Sequence, residues 1–323
     1  MDKELKMSNM HTTVGIIGLG LIGGSMAIDL KRRGFAQTVL GVEKDPVSAQ
    51  AALTIGLVDR VVPYGECIEK ADIIVVAVPV GAAVKLVPDI LDRFGEMPGQ
   101  AGHDVMADSD RPSDKIVIDV CSTKTQICHA VKYHPRRKQF VGTHPMAGTE
   151  YSGPWAAQPG LFDGRACIFA DSEESAPQAL KTIEGLYATL NMRPVYMNAE
   201  QHDVHAAYVS HISQVTSYAL ALTVLDKEKD EKHIFDLASG GFASTVRLAK
   251  SNADMWVPIL TQNHDNVLHV IDTYIEKMQE IRDAVSTYDE DKLRELIAEA
   301  NRIKRISVSQ VTMERSDPGG LGD

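Results

Sequence analysis

The stretch Thr13-Val-Gly-Ile-Ile-Gly18-Leu-Gly20-Leu-Ile-Gly23-Gly-Ser25 decides how the first half of the chain is read. A β-branched run leads into Gly18-x-Gly20-x-x-Gly23 and an apolar helical stretch follows, the strand–turn–helix context this spacing requires. In such a turn Gly18 permits the reversal, Gly20 lets a pyrophosphate approach the backbone, and Gly23 lets the helix lie close to the strand. Leu21 and Ile22, at the turn into that helix, are expected to line the cofactor site, and the helix's unpaired N–H groups and positive dipole end attract phosphate. The next β-branched run delivers Glu43, 20 residues after Gly23. A carboxylate there accepts hydrogen bonds from a ribose 2′-hydroxyl and repels a 2′-phosphate, so NAD is expected rather than NADP. Lys44 beside it works weakly the other way, and a tight turn that binds nothing is the plainer alternative.

Working outward, Thr13–Ile17, Thr38–Val42, Ile73–Val78 and Lys115–Val120 read as strands buried on both faces, because none alternates apolar with polar. Ile22–Arg33, Pro46–Ile55 and Ala82–Phe94 read as the helices between them. That alternation predicts a doubly wound, Rossmann-type parallel sheet. Val78 and Pro79, at the end of the third strand, are expected to line the nucleotide site. Ala166–Ala170 and Pro194–Met197 extend the sheet around a helix Gln178–Leu190. Gly95–Asp114, rich in Gly, Pro, Asp and Ser, reads as a surface loop.

From Glu200 the texture is helical. Ala206–Leu225 is almost wholly apolar and predicts a helix buried on most sides. Val267, Ile271, Tyr274, Met278, Ile281 and Val285 recur with heptad spacing, which fits helix pairing within the chain or across a dimer; an ordinary core-facing stripe fits as well. The expected organisation is a dinucleotide-binding domain over residues 11–198, an all-helical substrate and dimerisation domain over 199–314, and a frayed tail over 315–323.

Composition narrows the classes. The 323 residues carry Lys+Arg 33 against Asp+Glu 44, a net charge of -11. Sequence-independent binding to nucleic acid or anionic membrane needs the opposite excess. The four cysteines, Cys67, Cys121, Cys128 and Cys167, form neither a C-x-x-C pair nor a zinc spacing, and read as free thiols of a reducing cytoplasm. The first thirteen residues lack an apolar signal core, and the longest apolar run, Ile73–Val84, is broken by Pro79 and Gly81. A cytoplasmic enzyme is the class that remains.

Two segments carry candidate chemistry. Asp119-Val-Cys-Ser122-Thr-Lys-Thr-Gln126 has the T-x-x-Q spacing of a capping box at Thr123, so a helix is expected to start there with Ser122 at the sheet's carboxyl edge. Ser122 is otherwise a second cap. Gly142-Thr-His144-Pro-Met-Ala-Gly148-Thr-Glu150-Tyr-Ser-Gly153 places His144 between a short apolar strand and a Gly- and Pro-rich loop. An imidazole titrates near neutrality and suits removal of a hydroxyl proton as hydride leaves the same carbon. On the helix starting near Glu200, Asp203, Ala207, Ser210 and Gln214 share a narrow face with His211 beside it, a polar stripe that needs buried partners or a wet cleft. His202 and His205 fall elsewhere on that wheel, and without converging ligands no metal site is expected.

These blocks, with His202-Asp203, Ser210-His211 and Gly240-Gly-Phe-x-x-Thr-x-Arg247-x-Ala-x-Ser251 running to Met255-Trp256, resemble the prephenate/arogenate dehydrogenase family over most of residues 14–256. The resemblance implies an NAD-linked oxidative decarboxylation of prephenate to 4-hydroxyphenylpyruvate in tyrosine biosynthesis. It implies His144 as proton acceptor and Ser122 as hydrogen-bond partner of the same oxygen, next to the nicotinamide. Arg247 would hold a substrate carboxylate in bidentate fashion. His211, Trp256, Asp203 and Thr149 would complete the pocket, and Glu150 would order its loop by pairing with a base. A homodimer through the helical domain is the family habit.

Alternatives remain: arogenate as substrate, since its ammonium would welcome a carboxylate such as Asp203; a β-hydroxyacid dehydrogenase; or a non-catalytic NAD sensor. The chain departs from the family's Ser-His-Leu-Pro-His, reading Ser210-His-Ile-Ser-Gln214, and the uncharged Gln214 favours prephenate. No regulatory or chorismate mutase segment is expected, so tyrosine feedback would need a site in the core.

Overall fold

The structure, a computed structural model, describes residues 12–94, 115–231 and 233–303. The loop read at Gly95–Asp114 and the tail from Arg315 lie outside these residues. The chain divides into two compact units between Asn266 and Val267.

The first unit holds strands β1 (Thr13–Ile17), β2 (Thr38–Val42), β3 (Arg60–Val61), β4 (Ile73–Val76), β5 (Ile116–Asp119), β6 (Phe140–Pro145), β7 (Ala166–Ala170) and β8 (Arg193–Met197). Helices α1 (Leu21–Arg32), α2 (Pro46–Thr54), α3 (Tyr64–Lys70), α4 (Val80–Arg93), α5 (Thr125–Val131) and α6 (Pro177–Thr189) are interleaved with them. The sheet order is β3-β2-β1-β4-β5-β6-β7-β8, and every neighbouring pair is parallel except β6 with β7. The strand order reverses between β1 and β4, and a doubly wound sheet binds ligands at the carboxyl ends flanking such a switch.

Strand β4 shows why the sequence makes this fold. Ile73 and Val75 enter the core on one face of the sheet, with Met26, Leu30 and Val39. Ile74 and Val76 enter the core on the other, with Val80, Val87 and Ile90 of α4. Each such side chain is worth roughly 1.5–3 kcal/mol on burial, so both faces must be covered by helices. The antiparallel β7 was not legible, because period and composition carry no strand direction.

The chain then turns helical, as expected: α7 (Ala199–Ala206), a π-helical turn Ala207–His211, α8 (Ile212–Asp230), α9 (Gly240–Thr245), α10 (Ala253–Gln262), α11 (His264–Ser286) and α12 (Glu290–Ala300). The π turn inserts an extra residue into the repeat, so the buried polar positions run Asp203, His211, Gln214 and Ser217 while Ser210 slips toward the rim. Helix α8 is not buried on most sides: Leu222 is 61% and Leu225 49% exposed. Its polar-bearing face packs on the segment around Thr245–Leu248, Ile212, Val215, Leu220 and Val224 are half-buried, and Leu222 and Leu225 point outward.

In the second unit Val267 of the heptad seam is buried, and among the described residues Tyr274, Met278, Ile281 and Val285 are exposed. Among the described residues no helix is long and apolar enough to cross a membrane. All four cysteines are free and buried.

Candidate active site

The glycine-rich turn is built for close approach. Gly18 has φ +97°, and a Cβ there would lie 2.4 Å from the Ala77 carbonyl oxygen. A Cβ on Gly23 would meet the Gly18 carbonyl oxygen at 2.1 Å, so α1 lies close on β1 only with glycine at 23, and the turn passes the end of β4 only with glycine at 18. At Gly20 the same atom would meet nothing within 4 Å. The open space is therefore where a phosphate can reach the backbone, at the N-terminus of α1 with Leu21 and Ile22 in its first turn. Glu43, one residue past β2, accepts from the Leu19 N–H at 3.1 Å and from the Asp45 N–H at 3.1 Å. Its carboxylate is thus held against the turn itself, where the dinucleotide-binding pattern wants an acid. Val78 and Pro79 border the same edge: Val78 lies beside Gly18, and Pro79 caps α4.

At the ends of β5 and β6 the structure adds what the sequence did not give. The Thr123 capping box does not form. Helix α5 starts at Thr125 without a cap from its own segment, and the Thr123 hydroxyl donates to Gln262 Oε1 at 3.2 Å. The cap comes from α7: Asp203 accepts from the Lys124 N–H at 2.7 Å and the Thr125 N–H at 2.9 Å. A carboxylate satisfies these free donors and the helix dipole better than a neutral Thr hydroxyl. Ser122, two residues earlier, is partly exposed at the strand's carboxyl edge.

His144 belongs to β6 itself, and its Nδ1 lies 2.8 Å from Nε2 of His202. His202 Nδ1 in turn lies 2.8 Å from Asp203 Oδ1. The wheel placed His202 away from Asp203, yet both are buried, because α7 is wedged between α5 and β7 and hides two faces. His202 was not among the expected site residues, although the His202-Asp203 pair was one of the blocks that carried the family resemblance. His211 Nδ1 contacts the Asn263 amide at 3.1 Å, and that amide donates to the Asp203 carbonyl at 2.7 Å. The His211 ring stands edge-on to Trp256, with centroids 6.0 Å apart. His144, His202, Asp203, His211 and Trp256 are therefore brought together.

Electrostatics follow from burial. His144 is held well below the usual imidazole range by desolvation, then by His202 and the Lys124 ammonium. Burial likewise lowers His202, and lowers His211 to about 4. All three rings are neutral at pH 7. Asp203 is held below the ordinary carboxylate range: burial opposes this, but donors from His202, Thr125 and Lys124 outweigh it. Beneath them Lys124 is fully buried, paired with Asp119 and donating to the Thr143 carbonyl at 2.7 Å.

The remaining residues form a second group. Arg247 Nη1 donates to Glu150 Oε2 at 3.0 Å, so the base that pairs with Glu150 is Arg247. Thr149 Oγ1 accepts from the Tyr151 N–H at 3.3 Å. Gln214 is buried, with its amide donating to the Leu248 carbonyl at 2.6 Å and to Ser251 Oγ at 3.1 Å. It anchors the turn carrying Arg247, so its neutrality does not bear on substrate charge. Among the described residues no hydrogen bond joins Ser122 to His144, and no cluster of three or more His, Cys, Asp or Glu could hold a metal ion.

A doubly wound sheet with an open glycine cradle, an acid after β2 and a neutral histidine at the carboxyl edge defines a dinucleotide-dependent oxidoreductase. The comparisons carry this further. The prephenate dehydrogenase nucleotide-binding domain matches residues 26–93 and 100–196, and the prephenate dehydrogenase dimerization domain matches residues 198–299. The chain belongs to the prephenate dehydrogenase family. It is 29% identical over 289 residues to prephenate dehydrogenase of Bacillus subtilis (strain 168), covering 89% of this chain and 74% of that protein. Prephenate dehydrogenase of Aquifex aeolicus, in complex with hydroxyphenyl propionate and NAD+, superposes with TM-score 0.77 at 26% identity, covering 92% of this chain and 98% of that one. Arogenate dehydrogenase of Synechocystis superposes with TM-score 0.70 at 26% identity, covering 92% and 100%.

Proposed function

We propose that this protein catalyses NAD-dependent oxidative decarboxylation of prephenate to 4-hydroxyphenylpyruvate. The observation that carries the proposal is His144 at the carboxyl end of β6, neutral, with Nδ1 engaged by His202 and with Nε2 unpartnered among the described residues. Gly18, Gly20, Gly23, Leu21, Ile22, Glu43, Val78 and Pro79 would hold NAD at the cradle, with Ser122 toward its nicotinamide, and NAD would supply the hydride acceptor. His144 Nε2 takes the proton of the ring hydroxyl while the C–H bond at the same carbon breaks with its electron pair. The bond to the ring carboxylate then breaks, CO2 leaves, and its pair completes the aromatic ring. Ser122 hydrogen-bonds the hydroxyl oxygen. Arg247 leaves Glu150 to fork onto a substrate carboxylate, with His211, Trp256 and Thr149 lining the pocket.

Prephenate is favoured over arogenate by the state of Asp203. Both its oxygens are engaged by three donors of the chain, so it is not held ready for an arogenate ammonium, and a keto group needs no carboxylate. The exposed seam from Tyr274 to Val285 supports a homodimer through the helical domain (residues 199–314), and buried free thiols fit a cytoplasmic setting.

Steady-state kinetics with prephenate and arogenate, each with NAD and NADP, test the reading. Prephenate with NAD should give the largest kcat/KM; a larger value with arogenate overturns the substrate. Arg247→Ala should chiefly raise KM and His144→Asn chiefly lower kcat, and the reverse pattern overturns the roles.

A further inference from the structure

We propose that His202 is a positioning residue which, through Asp203, fixes the tautomer of His144 and so leaves its Nε2 as the base. This rests on the dehydrogenase reading and deepens it. Asp203 is the fixed end of this chain of contacts. Its Oδ1 accepts from the Lys124 N–H and faces His202 Nδ1, and its Oδ2 accepts from the Thr125 N–H. A buried carboxylate with three donors around it is ionised and can only accept, so the proton between it and His202 sits on His202 Nδ1. His202 is neutral, held so by burial and the nearby Lys124 charge, so its Nε2 carries the lone pair. The 2.8 Å contact to His144 therefore requires the proton on His144 Nδ1, which leaves the lone pair on Nε2.

The ring geometry agrees: with the nitrogens 2.8 Å apart, a centroid separation of 5.1 Å fits an in-plane N–H aimed at an in-plane lone pair, and the 70° between the ring planes is a rotation about that line. When His144 Nε2 takes the hydroxyl proton, the new positive charge is shared along Nδ1–H to His202 and on to the Asp203 carboxylate. The other charged neighbour, Lys124, is paired with Asp119, which weakens its repulsion of that charge, and burial holds His211 below the ordinary imidazole range. Asp203 also caps α5 immediately after Ser122, so one carboxylate sets both the orientation of the base and the backbone beside its hydrogen-bonding partner.

Two variants divide the chain of contacts. A glutamine can place an acceptor where His202 Nε2 lies, whereas an asparagine reaches only Asp203. His202→Asn should lower kcat on the order of 10²-fold, the lower range of a general-base contribution, with KM and the NAD dissociation constant within about threefold. His202→Gln should recover at least about tenfold of that loss. ¹⁵N NMR of the labelled histidine rings should find the His144 proton on Nδ1 in the wild type and in His202→Gln, and not predominantly there in His202→Asn. A merely structural His202 would change Tm without this split of kcat from KM, and without rescue by glutamine. The proposal is overturned if the wild-type proton sits on Nε2, or if His202→Asn keeps kcat within about threefold of wild type. It is also overturned if glutamine does no better than asparagine. A wild type that oxidises neither prephenate nor arogenate defeats the functional reading instead, and the tautomer is still read by NMR.

Discussion

Lys124→Met would remove the one buried cation beneath the candidate base and keep the side-chain volume. Lys124 is completely buried, bonded to the Asp119 carboxylate and to the Thr143 carbonyl, and Thr143 is the residue before His144. Burial alone would push the lysine pKa down, but the Asp119 carboxylate more than offsets this and holds it above the ordinary value. A folded pKa above the unfolded one of about 10.4 means that the pair's stabilisation is complete at neutral pH and is lost only as pH climbs through the folded value. In the variant Asp119 keeps the Cys121 N–H at 3.0 Å and the Thr143 N–H at 3.4 Å but has no counter-charge. Removing one partner of a buried pair costs about 3–5 kcal/mol, because the other charge is stranded. With a urea m-value of roughly 3 kcal/mol/M, the unfolding midpoint should fall by about 1–2 M. Neutralising the stranded acid in Lys124→Met/Asp119→Asn should restore at least about 1 kcal/mol of that loss. The reasoning is refuted if the single variant loses under about 1 kcal/mol, or if the double variant is no more stable than the single.

The three neutral histidines should make both activity and stability sensitive to acid. Their folded pKa values lie below the unfolded value of about 6.5, so their contribution is present above that value and is lost as pH falls toward about 4, where His211 titrates. Urea midpoints should drop between pH 7.5 and 5, and the acid limb of kcat/KM should lie below 6.5; a midpoint that rises on acidification would contradict the assignment. Gln214→Leu should release the turn carrying Arg247 by stranding the Leu248 carbonyl, raising KM for prephenate by about tenfold with kcat within twofold. A fall in kcat with unchanged KM would show that Gln214 acts elsewhere.

Much of the nucleotide half was legible because its determinants are local. Gly18 needs its positive φ of +97° and Gly23 needs room for the Gly18 carbonyl, both reasons set within one strand, turn and helix, and the uninterrupted apolar run Ile73–Val76 can only be a strand covered twice. Near the site legibility fell as sequence separation grew. The T-x-x-Q spacing at Thr123 was a valid local cap signal, and it lost to a carboxylate 79 residues away from Lys124. The helical wheel assumed one buried face and an unbroken α-helical repeat, whereas α7 buries two faces and a π turn shifts the register before His211. Gln214 looked like a change of pocket charge and is instead a clamp on the Arg247 turn.

The glycine cradle, the acid after β2, the helical second half, and His144, Ser122 and Arg247 as candidate site groups are marked in the order of residues. The contact of His144 with His202, the engagement of both Asp203 oxygens within the chain, and Lys124 as the buried charge below them come only with folding. The division has a physical cause. Backbone turns, caps and burial periods are fixed by neighbours within a few residues, and they leave a mark in the order of residue types. The protonation state of a base is fixed by whatever lone pair, proton or charge the folded chain brings within 3 Å, and that meeting is written only in three dimensions.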